Sequence, residues 1–67
     1  MTFGELIENI TIQGKVRLSK WVDEEEVVVK YYETEYLDGE KIPRGWRDLE
    51  VSYLFTPVDG YLHIELK

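Results

Sequence analysis

The chain has 67 residues, a formal net charge of −6 at pH 7 and no cysteine. A chain of this length has room for one core, and without thiols it has neither disulfide staples nor thiolate metal sites. Packing must stabilise it, and an aromatic share of 13% supplies large apolar surfaces for that purpose.

Thr2-Phe3-Gly4-Glu5 has the form of a capping box, in which Thr2 and Glu5 satisfy each other's backbone N–H groups at a helix start. Phe3, Leu6, Ile7 and Ile10 follow at helical spacing and predict an amphipathic helix of about two turns, docked by that stripe onto a sheet. From Ile10 onward the pattern changes to period two. Ile12, Val16 and Leu18 alternate with Thr11, Gln13, Lys15, Arg17 and Ser19, which predicts a half-buried strand, firm from Lys15 to Trp21. Gly14 marks either a turn before that strand or a close approach of the helix.

Asp23-Glu24-Glu25-Glu26 reads as a polar hairpin turn, and Val27-Val28-Val29-Lys30-Tyr31-Tyr32 as a second strand with apolar groups on both faces. Residues 34–42 are mostly polar, with Asp38-Gly39 as a turn signal, and Pro43 predicts a single helical turn ending near Gly45-Trp46. Leu49, Val51, Tyr53 and Phe55 alternate as a third strand. Pro57-Val58-Asp59-Gly60 signals a tight hairpin, and Leu62, Ile64 and Leu66 alternate as a fourth strand. The expected fold is a single α+β domain over residues 1–67, a short N-terminal helix packed on a four-stranded antiparallel sheet. A small curled β half-barrel with one helix is the alternative closure.

No apolar run approaches the roughly 20 residues of a membrane span, and Met1 to Glu5 lacks the basic and apolar regions of a secretory signal, so a cytoplasmic protein is expected. The acidic balance disfavours sequence-independent binding of nucleic acid, which needs clustered Lys and Arg. No Ca²⁺-loop spacing is present, and His63, even with Ser52, Glu50 or Glu65 nearby, comes with no recognisable nucleophile or oxyanion hole. The sequence therefore predicts neither an enzyme nor a cofactor or metal site.

The charge is unevenly placed. Asp23, Glu24, Glu25, Glu26, Glu33, Glu35, Asp38 and Glu40 lie between Val22 and Glu40 with Lys30 as the one base among them. Such a run is either a solvated loop and a charged edge strand, or a surface that steers a basic partner, even one that imitates spaced phosphates. Trp21, Tyr31, Tyr32, Tyr36 and Tyr61 exceed what so small a core can bury, which predicts exposed rings at a protein-binding or homodimer surface. The leading functional expectation is a protein-interaction module that presents the acidic segment with Tyr31, Tyr32 and Tyr36 to a basic partner. Lys15, Arg17, Arg44 and Trp46 form the alternative, a nucleic-acid-associated surface, provided that they converge on one face. Otherwise Trp46 plugs the core while Arg44 and Arg47 answer the acidic segment.

The order Phe3-x-Glu5-Leu6-Ile7-x-x-Ile10, Gln13-Gly14, Trp46-x-Asp48-x-Glu50-Val51-x-Tyr53 and Leu62-x-Ile64-Glu65 resembles small uncharacterised proteins encoded by phages and conjugative elements of Gram-positive gut bacteria. The resemblance implies a mobile-element accessory or host-interaction role. By analogy with small acidic proteins of such elements, it also implies an acidic nucleic-acid mimic that occupies the cleft of a host DNA-binding enzyme.

Overall fold

The computed structural model describes residues 1–67. Helix α1 spans Phe3–Asn9, and four strands follow: β1 (Gly14–Val22), β2 (Glu25–Thr34), β3 (Val51–Phe55) and β4 (Leu62–Leu66). A single 3₁₀ turn, Trp46–Asp48, precedes β3. The capping box forms as the sequence predicts: Glu5 N–H donates to Thr2 Oγ1 at 3.2 Å, and Thr2 N–H donates to Glu5 Oε1 at 3.0 Å. Phe3, Leu6 and Ile7 are buried, whereas Ile10, expected to complete their stripe, is 49% exposed because the backbone has already turned extended there.

The strands form one open sheet in the order β2-β1-β4-β3. The expectation of a purely antiparallel sheet is corrected here. β1 pairs antiparallel with β2, and β4 with β3, but β1 and β4 run parallel, Leu18 opposite Ile64. The reason lies in the 16-residue connection 35–50: it carries the chain across the sheet to its far edge, so that the second hairpin returns β4 alongside β1. The sheet stays open, with no half-barrel closure.

That connection also builds the core. Leu37 and Ile42, at 1% and 7% exposure, turn inward from a segment that reads as polar, and Trp46 closes the same layer beside α1. Leu37 N–H donates to the Ile12 carbonyl at 2.9 Å, which ties the loop to the segment entering β1. One face of the sheet, carrying Val16, Leu18, Ile64 and Leu66, is thereby covered by α1 and the loop together. The resulting molecule is thin, 18 Å along its shortest axis, as expected of one sheet plus one covering layer.

Pro43 does open a turn, but the helical turn lies after Gly45 rather than before it: Trp46 N–H reaches the Pro43 carbonyl, and the 3₁₀ turn begins at Trp46, whose indole is in the core. Gly14 adopts φ +94° with open space where a side chain would be, so the turn reading of this residue is the right one. The close approach occurs instead at Gly4, where a Cβ would stand 3.1 Å from the Arg47 carbonyl oxygen, and this lets α1 sit directly on the 3₁₀ turn.

Two register shifts change which side chains face the core. Ser52 is an extra residue between Val51, opposite Leu66, and Tyr53, opposite Glu65; its hydroxyl donates to the Glu65 carbonyl at 3.1 Å. Val51 therefore packs on the core while Tyr53 and Phe55, expected inward, point to the other face at 66% and 40% exposure. In β2 the extra residue is Val27, between Glu26 opposite Trp21 and Val28 opposite Lys20.

Candidate functional site

Residues directly opposite each other on paired strands point to the same side of a sheet. Because Val16 and Leu18 face the core, Lys15, Arg17, Ser19 and Trp21 face away from it, and the register brings Glu33, Tyr31, Val29 and Glu26 beside them on β2. His63 and Glu65 on β4, and Phe55 and Tyr53 on β3, complete the same face. Neither α1 nor the 35–50 connection covers this second face. It is rich in rings: Tyr31 and Tyr61 meet edge to face with centroids 5.5 Å apart, Tyr53 and Phe55 at 6.3 Å, and Phe55 lies 4.9 Å from the His63 ring.

Its polar groups are organised around Arg17. The guanidinium donates to both Glu26 carboxylate oxygens, at 3.2 and 2.5 Å, and Nε donates to the Tyr31 hydroxyl at 3.4 Å. The Glu26 carboxylate, followed by the Tyr31 hydroxyl, raises the Arg17 pKa above its ordinary value. The pair runs diagonally past Ser19, which is fully buried, and the Trp21 indole N–H donates to Ser19 Oγ at 3.2 Å. At the other end, Lys15 Nζ sits 5.7 Å from the Tyr61 ring centre.

His63 is fixed by its own hairpin. Asp59 accepts the Tyr61 N–H at 2.9 Å and lies 2.9 Å from His63 Nε2. These two contacts, the backbone one first, hold the Asp59 carboxyl below the usual carboxylate range. Ser52 is engaged with the Glu65 carbonyl and Glu50 with the Met1 ammonium at 3.0 Å, so neither completes a catalytic pair with His63. No three His, Asp or Glu side chains converge as a metal-ligand set.

The acidic residues divide. Asp23 and Glu24 form the β1–β2 turn and Glu25 opens β2, whereas Glu33 lies near the far end of β2 and Glu35, Asp38 and Glu40 in the connection beyond it. At the rise of a strand, Glu25 and Glu33 are about 26 Å apart. Glu26 alone of the eight is ion-paired, and it belongs to the sheet face through Arg17. The three tyrosines divide as well: Tyr31 is on the uncovered face, Tyr32 packs against the core, and Tyr36 is half exposed in the connection, its carbonyl accepting from Lys41 Nζ. Burial raises the Tyr32 pKa above its ordinary value.

Lys15, Arg17, Arg44 and Trp46 do not converge. The first two are on the uncovered face, Trp46 is buried at 6% exposure on the opposite side, and Arg44 is exposed in the loop before it. Arg47 answers Glu8 of α1 at 2.6 Å rather than the acidic segment. What the sequence does not single out is Tyr53 and Phe55 as exposed rings; the shift at Ser52, invisible to a period-two count, puts them there.

No helix is long and apolar enough to cross a membrane. In comparison with known proteins, the chain matches no family model, no curated protein and no solved structure.

Proposed function

We propose that the protein is a non-catalytic interaction module that binds a basic protein partner through the uncovered face of its sheet and the acidic β1–β2 turn at the end of that face. The observation that carries this reading is the placement of the exposed Tyr53 ring beside the unpaired carboxylates of Asp23 and Glu24, with the exposed Tyr31 and Phe55 further along the same face. Aromatic residues supply rigid contact area at interfaces, and carboxylates around them steer a cationic surface into place. A nucleic-acid-binding protein, whose surface already holds phosphates, is the class of partner that fits this charge. The acids at the far end of β2 contribute to steering rather than to contact.

The test is capture of partners by tagged protein at low and high salt. The reading expects a basic protein retained at low salt, released at high salt and lost with the double reversal Glu24→Lys, Glu25→Lys, or with Tyr53→Ser. Retention indifferent to salt and to all three substitutions would sink it.

A further inference from the structure

At the turn end of the uncovered face, a cleft of about 340 Å³ opens between Trp21 and Tyr53, bordered by Asp23, Glu24, Glu65 and Lys67. Its construction follows from the strand order. β4 lies between β1 and β3, with Ser19, Glu65 and Tyr53 on one rung across three strands that span roughly 10 Å. Trp21 stands two residues further along β1 and reaches back toward that rung through Ser19, so that Glu65 lies on the floor between the two rings. The Trp21 ring is held in orientation by its N–H bond to Ser19 Oγ, and Tyr53 is turned into this face by the extra residue Ser52. Glu65 is half-buried and makes no ion pair.

We infer that this cleft is a binding slot for an arginine side chain of a protein partner. The inference rests on the interaction reading above and names the anchor that the partner must supply. Two ring walls and a carboxylate floor suit a flat cation: a guanidinium stacks on aromatic faces and forks onto a carboxylate with two parallel hydrogen bonds. An ammonium group offers a point charge without the flat face or the two parallel donors. Asp23 and Glu24 at the rim add attraction without competing for the floor, whereas the Lys67 ammonium at the border opposes entry of any cation.

The experiment uses the whole chain in solution, with acetyl-Gly-Arg-Gly-amide as the probe and its lysine and norleucine counterparts as comparisons. Binding is followed by the NMR shifts of the Trp21 indole N–H and the Glu65 amide. Trp46, buried in the core, is the internal control for folding. The expected result is a saturable shift of Trp21 and Glu65 by the arginine peptide alone or most strongly, with Trp46 unmoved. Glu65→Gln, which keeps the shape and removes the charge, should weaken binding about tenfold, and Lys67→Ala should strengthen it about threefold. Equal binding of the lysine peptide, or indifference to Glu65→Gln, overturns the slot. If Glu65→Gln leaves capture of a basic partner as salt-sensitive as before, the slot fails while the interaction reading stands. If the arginine peptide fills the slot and no basic protein is captured, the slot stands and the wider reading fails.

Discussion

Arg17 on β1 reaches diagonally to Glu26 on β2 and holds both of its carboxylate oxygens, so that one member of the acidic turn sequence is withdrawn into the sheet face. The two side chains are only 18% and 26% exposed, which leaves the pair partly shielded from solvent. Glu26→Gln should cost about 1 kcal/mol of stability, read as a lower denaturant midpoint. Glu24→Gln and Glu25→Gln, on unpaired carboxylates, should stay within about 0.5 kcal/mol of the parent. Equal losses at all three positions would mean that the pair contributes nothing particular.

The helix depends on its cap. With seven residues, α1 cannot persist alone in water, and Thr2 with Glu5 satisfies the backbone donors at its start. Thr2→Ala should cost about 1 kcal/mol, and Thr2→Ser much less, since serine keeps the accepting oxygen. Chemical denaturation followed through the buried Trp46, which sits beside α1, reports both.

The connection between β2 and β3 is structural. Leu37→Ala removes a side chain that is 1% exposed and should cost about 2 to 5 kcal/mol, a large part of the stability of a domain of this size. Tyr36→Ala, one residue earlier and half exposed, should change little beyond the local turn. A thermal melt of the two variants side by side separates a packed lid from a loose loop.

Acid stability has two identifiable sources. Glu5 is held below its ordinary value of 4.5, first by the Thr2 backbone N–H and then by the Thr2 hydroxyl, and Asp59 below 3.8, first by the Tyr61 N–H and then by His63. Both carboxyls are depressed in the fold, so their contribution is present above the unfolded values. It fades as the pH falls below them, through the folded ones. Unfolding curves between pH 6 and pH 2 should therefore show a shallower acid-side decline in Asp59→Asn and Glu5→Gln than in the parent. An unchanged slope in both variants would assign the acid sensitivity elsewhere.

The elements were legible where pattern and chemistry agreed. The capping box at Thr2 and Glu5, the alternation of Val16 with Leu18 and of Ile64 with Leu66, and the turn at Asp59-Gly60 all act locally, and each appears in the folded chain. What escaped the sequence depends on distant parts of the chain. A parallel partner for β1 cannot be read from β1 itself, because period two is the same in either direction. Leu37 and Ile42 sit among polar neighbours and become core only because the connection folds over the sheet. The single extra residue Ser52 reverses the facing of Tyr53 and Phe55, and with it the composition of the uncovered face. The acidic run was visible as charge, but its division between two ends of a hairpin is a property of strand length.

The parallel seam between β1 and β4 also sets an order of events. The β1–β2 and β3–β4 hairpins are local and can zip within microseconds, whereas bringing Leu18 beside Ile64 must close a loop of most of the chain. Each hairpin alone exposes one strand that belongs in the middle of the sheet, so neither has a buried core until the seam forms. Docking of the two hairpins is accordingly the step that carries the largest loop-closure cost. During synthesis, the inner edge of β1, with Val16 and Leu18 beside it, waits unpaired until β4 has left the ribosome.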